Sequence, residues 1–551
     1  MKKKLVSLLL AASMVMSLAA CGAEEAPAAS SESAKEEAPA VSEEASAEEP
    51  SNFNEEGYPI VNEPITLKVM LCTRDTDTLM EVNEMSSIKA LEEKTGIHIE
   101  WEVVKETDWG TKTNLMLASG EYPDIIIGKM DAEEYGVGQE ILIPVDELTE
   151  KYMPIYTQRM GEEESDPTIS LIKSNGRKYA IGEMENTGAD VNCFHFINQT
   201  WLDALGLKTP TTIDELTDVL RAFKTQDPND NGKADEVPIE LALNSHTYYG
   251  VNGVLPLFGI PKNFDKWVYL DDNMQVKLAA NQEEFRDCME WLHVLYEEEL
   301  VDAEFLSQDN STVDLKLATG GIGFFAAYRL IDKGWDDGVK KDSVIFVPAW
   351  TDGREANIEK HMVIASEGAY ITATNEHVEE SLRWMDATLE SETMWSLRYG
   401  SQDGIDGEGT GWKYNDEGLI EFMWSQGITT FPCLGVNALS VTSAKYNQEC
   451  VAQAPKTLER INYSNLYAEE GVKQTYSNSL LKLVGFTGEQ NEKNNLIETD
   501  LNNAINEAMA NFVTNGVTDD SWNAFVKQLD EIGAAEYVQS YQDGIDKLNV
   551  E

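Results

Sequence analysis

Basic residues are scarce, histidines are few, and cysteines are too scattered to form a framework. Lys and Arg number 42 against 98 Asp and Glu, a formal charge of −56, which excludes the basic surface that a nucleic-acid partner needs. The 6 His stand apart from one another, so a histidine metal centre is not expected. Besides Cys21, the cysteines Cys72, Cys193, Cys288, Cys433 and Cys450 are widely spaced and odd in number. They make no disulfide pattern, and no C-x-x-C pair suggests a metal knuckle or redox centre. The chain also lacks G-x-S-x-G, H-E-x-x-H, G-x-x-x-x-G-K-[ST] and a strand-following G-x-G-x-x-G. With 98 acidic residues, any carboxylate pair chosen for glycoside hydrolysis would be arbitrary. Beyond the amino-terminal region, no segment has the unbroken apolar length of a membrane span.

The residues present at the amino terminus read as an export signal over residues 1–20. Lys2, Lys3 and Lys4 lead into an apolar run from Leu5 to Leu10 that continues through Met14 and Met16, too short to span a bilayer. Leu18-Ala19-Ala20-Cys21-Gly22 resembles a lipobox, which predicts cleavage before Cys21 and its diacylation with palmitate-type chains, anchoring the protein to the outer face of a bacterial membrane. Residues 21–57 are rich in Ala, Ser, Glu and Pro, as in Ser42-Glu43-Glu44-Ala45-Ser46-Ala47-Glu48-Glu49-Pro50. With little to bury and like charges that repel, this stretch is expected to be an extended acidic tether.

The body, from Tyr58 to Glu551, is too long for one core and fits two lobes. Ile65, Leu67, Val69 and Leu71 alternate as in a strand, and a helical stretch through Met85, Ile88 and Leu91 stops at Gly96. Ile97, Ile99, Trp101 and Val103 alternate again, a second helix covers Trp109 to Ala118, and Ile125-Ile126-Ile127-Gly128 has the apolar run of a buried strand. Strand and helix in alternation predict an α/β fold with helices packed on a parallel sheet. Phe194-His195-Phe196-Ile197 opens a new unit. There Thr212 and Glu215 predict a capping box, and Ile213, Leu216, Leu220 and Phe223 line one face of the following helix. Leu496 to Leu548 reads as helical.

The sharpest local motif is Asp227-Pro228-Asn229-Asp230-Asn231-Gly232-Lys233-Ala234-Asp235-Glu236. Oxygen-bearing side chains at its first, third, fifth and ninth positions, with glycine at the sixth, suit a loop wrapped around a hard cation such as Ca²⁺. Asp227, Asn229, Asn231 and Asp235 are the candidate ligands, with the Lys233 carbonyl and with Glu236 standing in for the glutamate of an EF-hand. Pro238 occupies that twelfth position instead. The competing reading is a solvated Asx/Gly turn.

Two-lobed α/β proteins hold ligands beyond the carboxyl ends of their strands. Those ends nominate Arg74 after the first strand and Lys129 and Asp131 after the third. In the second lobe they nominate Tyr249 and Tyr328, followed by Trp335. Trp109, Trp350 and Trp412 are further aromatic candidates, although most aromatics of any chain serve cores. Tyr399 and Asp403 fit a cleft loop and a helix-terminating turn equally.

Three stretches together carry a resemblance. They are the lipobox with its tether, Ala118-Ser119-Gly120-Glu121-Tyr122-Pro123-Asp124-Ile125, and Asn198 through Trp201, Leu205-Gly206-Leu207 and Pro210 to Leu216. In this order they resemble the family 1 extracellular solute-binding lipoproteins of carbohydrate ABC importers. The closing Trp522 to Tyr541 is similar to the longer, oligosaccharide-binding members. The resemblance implies a two-lobed binding-protein fold with hinge strands crossing near Phe194, near His361 to Tyr370, and near Thr429 to Asn437. It assigns 58–193 with 370–430 to lobe 1 and 194–369 with 431–551 to lobe 2. It also implies a stacking role for Tyr328 and Tyr249, a calcium role for the Asp227 loop, a carbohydrate or sugar-like ligand, and an ABC permease as partner. A surface-attached carbohydrate-active enzyme and a solute sensor of the same fold are the alternatives.

Overall fold

The computed structural model describes residues 51–163, 176–189, 191, 193–243, 245, 247–261, 266–330, 337–360, 364–407, 409–423, 431–486 and 488–548. Cys21 and Trp335 lie outside the described residues, as do the export signal and nearly all of the expected tether. Residues from Asn52 onward form a unit of their own.

Its strands run in chain order β1 Ile65–Thr73, β2 Ile97–Lys105, β3 Ile125–Gly128, β4 Ala180–Glu185, β5 Phe194–Asn198, β6 Val237–Ile239, β7 Val268–Leu270 and β8 Val276–Leu278. There follow β9 Ile322–Ala327, β10 Ser343–Phe346, β11 Asn357–Glu359, β12 Ile364–Ile371, β13 Trp412–Tyr414, β14 Ile420–Phe422, β15 Val441–Thr442 and β16 Lys473–Thr475. Two larger sheets organise them: a six-stranded sheet in the order β15-β4-β12-β3-β1-β2 and a four-stranded sheet in the order β10-β5-β9-β6.

Period-two alternation fixes which side chains reach which face. In β1, Leu67, Val69 and Leu71 enter one core while Met70 enters the core on the opposite face, and β3 divides Ile125 and Ile127 from Ile126 in the same way. Burial on both faces is why β3 reads as an unbroken apolar run. The pairs β1–β2 and β1–β3 are parallel, as the alternation of strands and helices predicts, whereas β12 is antiparallel to both β3 and β4. The second sheet likewise separates Ile197 and Phe324 from Phe194, Phe196 and Phe325.

The amphipathic helix Ile213–Thr225 buries Ile213, Leu216, Leu220 and Phe223 as predicted. Its capping box is only half made. Thr212 Oγ1 accepts the Glu215 N–H at 3.1 Å, but Glu215 turns its own carboxylate to the Thr211 N–H at 2.8 Å and the Thr211 hydroxyl at 2.9 Å.

Three segment assignments change. Residues Asn52 to Gly57 do not belong to the tether, because Asn52 Oδ1 accepts the Glu63 N–H at 2.6 Å and Phe53 pairs with Val61. Strand β12 sits between β3 and β4, so residues 364–369 belong to the first lobe. The stretch 431–451 also joins the first lobe, since Leu434, Leu439, Val441, Tyr446 and Val451 lie in its core. The chain therefore passes between sheets after β4 and before β5, between β11 and β12, and after Val451. The third passage comes well after the expected Thr429–Asn437. The first two passages pair with each other through Val191 and Lys360.

Candidate functional site

Strands β1, β2, β3 and β4 all point their carboxyl ends toward the edge from which the chain leaves for β5. In the second sheet β6 and β9 run parallel and are followed by Glu240 and Tyr328, and Ala327 is registered against Phe194, where the chain arrives. The strand ends nominated from sequence thus lie along the edges nearest the passages, which is where a ligand between two α/β lobes would sit.

On the first lobe this edge is charged. Arg74 and Lys129 are exposed and Asp131 is half-buried. The loop after β1 is pinned by Lys105, whose ammonium donates to the Arg74 carbonyl at 2.9 Å and also to the Asp77 carbonyl. Asp75 accepts the Thr107 hydroxyl at 3.0 Å, and Asp77 accepts an N–H of Asn437 at 3.1 Å. Asp131 Oδ1 accepts the Glu134 N–H at 2.9 Å. Trp109 is buried behind this edge, with its indole N–H donating to the Lys129 carbonyl at 2.8 Å. A Cβ at Gly128 would come within 2.7 Å of the Trp109 ring. Glycine there is what lets the indole pack under the end of β3 and orient Lys129.

On the second lobe the edge is aromatic and already engaged. Tyr249 is 3% exposed, its hydroxyl donates to Asp314 Oδ1 at 2.6 Å, and its ring meets Tyr248 edge-on at 4.6 Å. Burial, with Tyr248 and Asp314 beside it, pushes the Tyr249 hydroxyl well above its usual range, so it remains a donor. Tyr328 is half-buried, with the Arg460 guanidinium 3.9 Å from its ring centroid and Arg329 at 5.4 Å. Behind these rings His195 is fully buried, and burial lowers its pKa to about 4, so it is neutral. Its Nε2 lies 2.7 Å from the Gly253 carbonyl, which assigns the proton to that nitrogen.

Sequence reasoning had no signal for Asp314, Lys105 or Arg460, whose partners are remote in the chain. Of the other aromatic candidates, Trp350 donates its indole N–H to the Leu257 carbonyl at 2.8 Å, and Trp412 is 1% exposed in the first core. Tyr399 stacks on Phe422 at 4.2 Å and is the last residue of the helix Ser391–Tyr399, which Gly400 caps, while Asp403 has φ 58° in the turn beyond it.

The Asp227 loop folds on itself. Asp227 accepts the Asn231 N–H at 3.1 Å and the Gly232 N–H at 2.9 Å, Asn229 Oδ1 accepts the Asn231 N–H at 3.0 Å, and Asn231 Oδ1 accepts the Lys233 N–H at 2.8 Å. Gly232 has φ 74°, the left-handed turn that this position requires. Glu236 is 5% exposed and its Oε1 is buried without a hydrogen-bond partner. Burial, with Asp227 and Asp235 nearby, raises its pKa. Among the described residues, no three His, Cys, Asp or Glu side chains converge on one metal position.

A polar groove of about 550 Å³ lies away from the strand ends, on the flank of the second lobe, between Phe258, Tyr269 and Asp352. Its two cations are engaged locally, Arg354 with Asp287 at 3.3 Å and Lys473 with Asp272 at 2.7 Å.

Two α/β lobes joined by paired crossing segments, with polar and aromatic strand ends beside the crossing, define a solute-binding protein. The match of residues 83–394 to the family described as bacterial extracellular solute-binding protein covers more than half the chain, and the chain belongs to that family. This assigns capture of a solute outside the cytoplasm rather than catalysis. No described helix is long and apolar enough to cross a membrane. Over 510 residues the chain is 26% identical to the fructooligosaccharide ABC transporter substrate-binding protein FusA of Streptococcus pneumoniae serotype 4, a match covering 88% of this chain and 91% of that one. It is 27% identical over 241 residues to lipoprotein LipO of Bacillus subtilis, covering 43% and 45% of the two chains. A solved extracellular solute-binding protein from Bifidobacterium longum subsp. infantis shares the fold at a TM-score of 0.72 and 22% identity, covering 88% of this chain and 98% of that one.

Proposed function

We propose that the chain captures an oligosaccharide between its lobes and delivers it to the permease of an ABC importer. The observation that carries this reading is the near end-to-end likeness to a fructooligosaccharide-binding relative. It is joined by a site made of ring faces and polar rims, the combination that suits the apolar C–H faces and hydroxyl edges of a sugar. Tyr328 would stack on a ring, and Tyr249 would order the wall beside it. Arg74, Lys129 and Asp131 would meet hydroxyls from the facing lobe, with Trp109 holding Lys129 in place. Closure of the lobes on the ligand would be the form that the permease recognises.

Thermal-shift and calorimetric screening against fructooligosaccharides and other mono- and oligosaccharides tests the reading. A ligand of the folded state at a hundred times its Kd raises stability by about 2.7 kcal/mol. Stabilisation by amino acids or peptides and by no carbohydrate would overturn it, and so would the appearance of hydrolysis products.

We further propose a lipid anchor at Cys21, supported by the lipobox pattern and the lipoprotein relative. Cys21→Ala should release the protein into the medium and abolish labelling by an alkynyl fatty acid.

We propose a Ca²⁺ role for the loop held by Asp227, Asn229, Asn231, Asp235, Glu236 and the Lys233 carbonyl. The supporting observation is the buried, unpartnered Glu236 oxygen among neighbouring carboxylates, an arrangement that a divalent cation would relieve. Its role would be structural, and chelation should lower the melting temperature.

A further inference from the structure

The helix Pro455–Glu469 begins just after the third passage between lobes, and one of its faces is fastened to two other elements at once. Arg460 lays its guanidinium over the Tyr328 ring at 3.9 Å. One of its terminal nitrogens also donates to the carbonyls of Ala189 at 2.9 Å and Val191 at 3.3 Å, on the first crossing segment. Immediately before Arg460 in the chain, Glu459 Oε2 accepts the Leu330 N–H at 3.1 Å, holding the loop that follows Tyr328, while its other oxygen accepts the Tyr463 hydroxyl at 3.0 Å.

Farther along the same face, Ser464 Oγ accepts the Val191 N–H at 3.4 Å. The Tyr467 hydroxyl accepts the His195 N–H at 3.0 Å and donates to the Phe346 carbonyl at 3.0 Å. Phe194 packs edge-on against both Tyr463 and Tyr467. The face thus touches Ala189, Val191, Phe194 and His195 of the crossing segment and reaches the Tyr328 loop at one end. Arg460 is the residue that touches both, and a guanidinium suits the task because it stacks flat and donates in its plane at the same time.

We propose that Arg460 is a positioning residue that couples the Tyr328 ring to the crossing segment 189–195, so that a solute stacking on the opposite side of that ring is felt where the lobes turn. This rests on the reading of Tyr328 as a ligand platform, but the coupling is a property of the protein alone and can be measured without any ligand.

Amide hydrogen exchange on the full chain, read at Val191, Phe194, His195 and Leu330 in a double-mutant cycle, tests it. Tyr328→Leu keeps bulk and removes the ring face; Arg460→Met keeps the stem and removes the fork. Each single substitution should speed exchange of the crossing-segment amides by about tenfold. The double variant should exchange no faster than Arg460→Met alone, and Arg460→Lys should fall between wild type and Arg460→Met. Multiplicative effects in the double variant, or a Tyr328→Leu effect confined to Leu330, would overturn the coupling. If Arg460→Met fails to fold, the cycle is run with Arg460→Lys against the same two outcomes. A carbohydrate screen that fails while the cycle succeeds would sink the ligand reading and leave the coupling standing.

Discussion

The two lobes present their strand ends with opposite materials. The first offers exposed charges, Arg74 and Lys129, on loops pinned from behind by Lys105 and Trp109. The second offers rings that are already held, Tyr249 by Asp314 and Tyr328 by Arg460. Exposed charges steer an approaching solute and are weakened by salt, whereas a ring fixed before binding loses little freedom when a ligand arrives. The lobes should therefore divide the work, with most affinity on the aromatic side. The same contrast extends to their buried acids. Asp386 in the first lobe accepts the Tyr156 N–H at 3.0 Å and the Ile155 N–H at 3.3 Å, at the start of the helix Pro154–Gly161. Glu240 in the second accepts from Gln308 at 2.6 Å with one oxygen, while the other is buried without a partner.

The largest effect that sharpens this comparison concerns Glu240. Burial, with Asp302 nearby, raises its pKa from 4.5 to about 7 against the opposing pull of Gln308 and Lys316. The folded acid keeps its proton to higher pH than the unfolded one, so this contribution to stability is full below pH 4.5 and declines as the pH climbs through 7. Burial also raises the Asp386 carboxyl from 3.8 to about 6, so denaturant titrations should record a loss of stability across that window that is smaller in Glu240→Gln by on the order of 3 kcal/mol. Asp386→Ala should destabilise by about 2 kcal/mol because two helix-start N–H groups lose their acceptor. Identical profiles for wild type and Glu240→Gln would erase the contrast.

Next in size, Tyr328→Ala should weaken oligosaccharide binding by about 2 kcal/mol, roughly thirtyfold, in calorimetry. Thr212→Ala, outside the site, should cost about 1 kcal/mol of stability through the lost helix cap, with affinity unchanged. Smallest, Lys129→Ala should lower affinity by a few tenths of a kcal/mol, an effect that fades at high salt. Equal losses from Lys129→Ala and Tyr328→Ala would break the proposed division between lobes.

Legibility from sequence follows the same physical lines. Strands β1 to β3 and the helix Ile213–Thr225 were readable because burial on defined faces imposes a period on the residues themselves. The third passage was misplaced because β15 is only two residues long, Val441–Thr442, and too short to show a period. Tyr328 and Lys129 were locatable as residues at strand ends, but their holders were not. Arg460 sits in an ordinary amphipathic helix, and Trp109 reads as a plain helical aromatic until Gly128 is seen beneath it. Long-range pairing leaves no local trace.

The position of β12 between β3 and β4 has a consequence for how the molecule is made. A chain threaded outward from its amino terminus delivers β3 and β4 long before residue 364 emerges, and those strands must wait with a gap between them and open hydrogen-bonding edges facing it. Closing that gap is a late, non-local event of the slow kind. Meanwhile the intervening residues, which hold all four strands of the second sheet, have already been released. A chaperone at the exit of the export pore that shields bare strand edges would matter most in that interval.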